Sequence, residues 1–196
     1  MNKSRIITVL LWLAPILNII AFVIYNWKIV HGEVSPNAVA WGIWGVITLL
    51  NFTSYKSMTG DWIKSVFPTV SSMLCITTFI LSACFGHFAH VETSDFGFLA
   101  LGILAALVWW WKQSAFYAQV VLQIALFLGF VPIIISLLAH PGTENVWCWA
   151  IWTISFIFQT ALVLMRWEGR YMDLVYPLWS GFTCHASVTA LIIWRS

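Results

Sequence analysis

Asn37-Ala-Val-Ala-Trp41-Gly-Ile43-Trp44 and Asn145-Val-Trp-Cys-Trp149-Ala-Ile151-Trp152 decide how this chain is organised. The two stretches lie 108 positions apart and share four identities in eight positions. Asn51 meets Gln159 at the same offset. Further on the offset becomes 109, pairing Gly60 with Gly169, Val66 with Val175, Pro68 with Pro177, Ser71 with Ser180 and Cys75 with Cys184. One inserted residue in the intervening joint accounts for the change. Chance matches of Trp and Ile are common in such a chain. Ordered matches of Asn, Trp, Gly, Pro, Ser and Cys are not, and they indicate an internal duplication. Pro15 and Pro132 extend it only weakly, because their spacing to the duplicated Trp41 and Trp149 differs by nine residues.

The duplicated unit is apolar. The 196 residues have a mean hydropathy of +0.90 and only 8% charged side chains, against about 25% in soluble domains. So few charges cannot cover a water-exposed surface, and disorder would need low hydropathy and high charge. A membrane helix needs about 20 apolar residues. Seven stretches qualify: 6–27, 37–55, 65–86, 96–111, 116–138, 146–165 and 174–194. The first exceeds the apolar core of a signal peptide and lacks a small-residue cleavage site, so it reads as a retained helix.

The expected fold is therefore all-α and integral to the membrane, with seven transmembrane helices. Each duplicated unit holds three helices, at 1–86 and 113–196, and 87–112 forms a linking fourth helix. Three spans invert the direction of the chain; one more restores it. The two three-helix bundles are then parallel repeats. Lys3, Arg5, Lys56, Lys64, Lys112, Arg166 and Arg170 fall on one side and only Lys28 and Arg195 on the other. That balance places the N-terminus in the cytoplasm and the C-terminus outside. The expected location is the cytoplasmic membrane of a bacterium.

Within the second span Asn37, Trp41, Trp44, Thr48 and Asn51 repeat at 4, 3, 4 and 3 residues, one stripe of a helix. Asn145, Trp149, Trp152 and Gln159 form the matching stripe in the sixth. Amides facing lipid would lack partners. The stripes either line a central pocket, with indole walls and amide hydrogen-bonding groups, or form a packing seam. Pro68 and Pro177 each precede a Ser by three residues, Ser71 and Ser180, placed to satisfy a backbone group freed by the ring. With Pro15 and Pro132 they are the candidate hinges. His185 is a titratable side chain inside a span, read either as a functional group or as a hydrogen-bonded packing residue. The expected site is thus Trp41, Trp44, Asn51, Trp149, Trp152, Gln159, His185, Ser71 and Ser180.

The 3+1+3 plan, with paired Pro and Trp in corresponding helices, resembles the SWEET, SemiSWEET, PQ-loop and PnuC-type transporters. The Pro-Gln pair of the PQ-loop proteins is absent: Pro15 and Pro132 are each followed by Ile. Where SWEETs place an asparagine in the third and seventh helices, this chain has Ser71, Cys75, Ser180 and Cys184, and the expected orientation is opposite to theirs. The resemblance implies a facilitative transporter of a small, mostly uncharged polar solute, sugar- or vitamin/nucleoside-like, working by alternating access. No carboxylate falls inside a span, which argues against ion coupling.

Other classes find less support. A non-transporting receptor or assembly protein remains an alternative. His87-x-x-His90, with His31 and His140 on the same predicted side, could hold a metal, although polar residues must sit in the joints anyway; no metal is expected. Nor is an enzyme, since His185, Cys184 and Ser187 point in different directions on one helix. The last span has no Lys for a retinal Schiff base, mid-membrane His is single, and no cofactor is implied. The cysteines form no CxxC pair. A net charge of +2 gives no footprint for nucleic acid. The implied partners are a small solute and the bilayer, with a homo-oligomer left open.

Overall fold

The structure, a computed structural model, describes residues 2–34, 38–85, 93–139 and 144–195. Among the described residues there are seven helices and no strand. They are α1 (Lys3–Val30), α2 (Ala38–Thr59), α3 (Trp62–Cys84), α4 (Thr93–Lys112), α5 (Ala115–Ala139), α6 (Val146–Met165) and α7 (172–195). Lys3–Val30, Trp62–Cys84, Ala115–Ile135 and Val146–Met165 are long and apolar enough to cross a membrane.

Local chemistry sets the ends. Asp61 caps α3, its carboxylate accepting from Ile63 N at 2.9 Å and Lys64 N at 3.4 Å. Asn145 caps α6 through Trp147 N and Cys148 N. Its place in the tryptophan stripe is thereby corrected, since its side chain belongs to the helix end. The duplicated glycines Gly60 and Gly169 both adopt positive φ, 64° and 84°, in the joints after α2 and α6. Only a residue without Cβ enters that region without strain, which explains why both copies are glycine.

The packing repeats. α3 lies against both α1 and α2, and α7 against both α5 and α6. The two sets meet through α1 on α6 and α2 on α5, while α4 packs on α5 and α2. The outside is strongly apolar, and polar side chains are drawn into an otherwise apolar core. Trp12, Val23, Met73, Leu107, Trp110, Trp147, Ile193 and Trp194 are exposed. Asn18, Asn51, Ser54, Lys64, Ser71, Gln119, Gln123, Gln159, Asp173 and Ser180 are buried.

Two sequence expectations need correction here. Charge does enter the interior: Lys64 and Asp173, both assigned to joints, are buried and pair at 2.8 Å. The serines also do not serve the prolines. Pro68 and Pro177 deny a partner to the carbonyls four residues before them, Lys64 O and Asp173 O. Gln159 Nε2 donates to Lys64 O at 2.9 Å, and Tyr55 Oη donates to Asp173 O at 2.6 Å. Each proline gap is thus filled by a side chain from the opposite repeat. α3 stays α-helical through Pro68, whereas α7 widens to a π-helix over Val175–Thr183 before resuming as Cys184–Arg195.

Candidate functional site

Six rings close a belt at the centre of the bundle. Phe22 meets Trp41 at 6.0 Å between centroids, Trp41 meets Trp44 at 5.7 Å, and Trp44 meets Phe130 at 5.2 Å. Phe130 then meets Trp149 at 6.1 Å, Trp149 meets Trp152 at 5.2 Å, and Trp152 returns to Phe22 at 5.0 Å. The second three residues are the first three moved by 108 positions. The repeated edges agree in length to within half an ångström. Phe22 and Phe130 were missed in the sequence; applying the known offset upstream of Trp41 would have found them.

The belt surrounds a cavity of about 60 Å³. Trp41, Trp44, Trp149, Trp152, Ser71, Ser180 and His185 all line it, so seven expected site residues converge. Asn51 and Gln159 do not line it. Asn51 Oδ1 accepts from Gln119 at 2.8 Å and Gln123 at 2.7 Å, tying α2 to α5. Gln159 is occupied by the gap at Pro68. The stripes of α2 and α6 therefore carry the indoles into the cavity and their amides into the helix seams below it. Pro68 and Pro177 are buried on α3 and α7, and Pro15 is buried on α1. Pro132 lies in α5.

The polar groups around the cavity are mostly spent on one another. Asn18 Nδ2 donates to Ser71 Oγ at 2.8 Å, Ser180 Oγ donates to Gln123 Oε1, and Thr48 Oγ1 donates to Trp44 O at 2.8 Å. His185 Nδ1 lies 2.7 Å from Gly181 O; a carbonyl only accepts, so Nδ1 carries the proton there. Its ring packs on Phe156 at 4.7 Å and on Phe130 at 5.0 Å. Trp152 Nε1 is buried and has no partner.

The two ends of the bundle differ. At one end, ion pairs and hydrogen bonds join the repeats: Lys64 with Asp173, Asp61 with Arg166 at 2.7 Å, and Arg170 Nη2 with Thr59 O at 2.8 Å. Burial raises the Asp61 carboxyl, but the Arg166 guanidinium and the amides of Lys64 and Ile63 outweigh it and hold the group below its usual range. At the other end, Tyr25 sits 5.5 Å from both Trp41 and Trp152. Glu144 Oε2 accepts from Trp149 Nε1 at 2.9 Å. Burial pushes the Glu144 carboxyl up to about 7, against the lowering effect of its hydrogen bonds with Trp149 and Tyr25.

Of the histidines proposed for metal, His31 is exposed, stacked on Trp27 at 4.0 Å. His87, His90 and His140 lie outside the described residues. Among the described residues no three His, Cys, Asp or Glu side chains gather as a metal site.

No family model matches the chain, and neither a curated protein nor a solved structure matches it.

Proposed function

We propose that this chain is a facilitative membrane transporter whose solute occupies the aromatic cavity. The observation that carries the reading is the belt itself: the cavity lies between two sequence repeats, and each belt ring of one repeat has its counterpart in the other. The shared helix pairings support a 3+1+3 plan with repeats at 1–86 and 113–196 and a link at 87–112. The charge count places the end bearing Lys64 and Asp173 in the cytoplasm.

In alternating access one repeat rocks against the other around a central site. The cytoplasmic end is closed here. Opening it separates Lys64 from Asp173, Asp61 from Arg166, Gln159 from Lys64 O and Tyr55 from Asp173 O. The opposite end is held across the repeats by ring contacts of Phe22 and Tyr25 with Trp152 and by the hydrogen bond between Tyr25 and Glu144. Among the described residues no ion pair crosses the repeats there. The π-helical stretch of α7 adjoins the cavity through Ser180 and His185, and π segments are frequent at functional sites. Asp173 is neutralised by Lys64, so it is not free to bind a coupling cation, which fits facilitated diffusion.

The test is uptake by proteoliposomes holding the purified full chain, with no proton or sodium gradient. Radiolabelled choline, glucose, a nucleoside and a neutral amino acid form the panel. Saturable uptake of one of them, abolished or weakened at least tenfold by Trp149→Ala, is expected. No uptake by folded protein would favour the receptor or assembly reading. Uptake unchanged in Trp149→Ala would remove the belt from the pathway.

A further inference from the structure

We propose that the belt is a cage for a small quaternary ammonium solute carrying one oxygen, with Glu144 as its counter-charge. This rests on the transport reading and narrows its substrate from the uncharged polar class expected from the sequence.

The belt edges run from 5.0 to 6.1 Å. All six rings line the same cavity, so a cation held in it is bordered by rings that attract a cation over a reach of about 6 Å. The angles between neighbouring rings, 49–75°, are those of box walls and not of a flat stack.

The polar inventory favours the same ligand. A sugar needs a partner for each hydroxyl, and an unmet one is costly. Here Asn18 with Ser71, and Ser180 with Gln123, have already paired. Trp152 Nε1 is a buried donor without a partner. A quaternary ammonium head asks for no hydrogen bond, and an oxygen on its tail can accept from that indole N–H. Ionised above about pH 7, Glu144 supplies negative charge at the outer edge of the belt and acts through Trp149, whose indole N–H it holds. An N–H bound to a carboxylate donates electron density to its ring, which strengthens the ring's attraction for a cation. Glu144 is a positioning and counter-charge residue, not a direct contact.

The experiment uses tryptophan fluorescence titrations of the full chain in detergent. The probes are choline, tetramethylammonium and 3,3-dimethylbutan-1-ol, the uncharged isostere of choline. Choline should bind at least tenfold more tightly than the alcohol, and more tightly than tetramethylammonium. Trp152→Phe, which keeps the ring and removes the donor, should erase the preference for choline over tetramethylammonium. Glu144→Gln should weaken choline several-fold more than it weakens the alcohol. If the alcohol binds as tightly as choline, or neither binds while glucose or a nucleoside does, the cage is wrong. The same probes in the uptake assay separate the two readings. Choline binding without uptake would overturn transport and leave the cage standing. Uptake of an uncharged solute without choline binding would overturn the cage and leave transport standing.

Discussion

α3 and α7 carry matching residues at Pro68 and Pro177, Ser71 and Ser180, and Cys75 and Cys184, yet they run differently. Around Pro68, α3 keeps its α-helical path; around Pro177, α7 widens to a π-helix. The prolines are common to both, so they do not cause the difference. The neighbours differ. Where α2 has Thr48, α6 has Phe156; where α3 has Ser72 and Ile76, α7 has Gly181 and His185. The Phe156 ring presses so closely on Gly181 that a Cβ there would lie 2.1 Å from Cδ1. A bare backbone and a wider turn accommodate the ring, and the same turn brings His185 to the cavity. Ile76 instead points to the surface. The belt is symmetric and the helices beside it are not: α7 widens to a π-helix where α3 stays α-helical.

The largest expected effect concerns what the halves share. Lys64→Met leaves the buried Asp173 with only Arg170 Nη2, 3.5 Å away, at a cost of about 3 kcal/mol. Thermal unfolding in detergent measures it, and Lys64→Met with Asp173→Leu should recover much of the loss. Gly181→Ala is next, at about 1–3 kcal/mol or more from overpacking. Ser72→Ala, its counterpart in α3, should be nearly neutral, because Ser72 Oγ is already without a partner. Equal losses at the two positions would mean that the asymmetry of α3 and α7 is not set by Phe156.

The proline gaps form a closer match. Gln159→Leu and Tyr55→Phe each orphan one buried carbonyl, and each should cost about 1–3 kcal/mol. Markedly unequal costs would break the claim that the halves cap one another alike. The smallest effect is that of pH at the end bearing Glu144. Its carboxyl, raised to about 7 when folded from an ordinary glutamate value of about 4.3, favours the fold in its protonated form. That contribution is complete below the unfolded value and is lost as pH rises through about 7. The melting temperature should therefore fall between pH 5 and pH 8, and Glu144→Gln should flatten that part of the profile.

The helices, the duplication and the paired indoles were legible in the sequence because hydropathy and a fixed offset are local signals. Phe22 and Phe130 obey the same offset and were legible in principle. The fates of Asn51 and Gln159 were not. Their stripe is correct, but what an amide bonds depends on the opposing helix, and Gln159 is claimed by a carbonyl that Pro68 frees 91 positions earlier. Burial of Lys64 and Asp173 was hidden for a similar reason. Each looks like a joint charge until the fold brings the two together. The π-helix depends on the contact of Phe156 with Gly181, which no single stretch contains.

The matched pair Trp44→Ala and Trp152→Ala tests the central claim most directly. These residues occupy the same place in the two halves of the belt. Initial uptake rates of whichever panel solute the proteoliposomes accumulate would be compared for the two variants and the unaltered chain. A solute site shared by both repeats predicts losses of at least tenfold in each variant. Full uptake in either variant, with the protein folded, would contradict it.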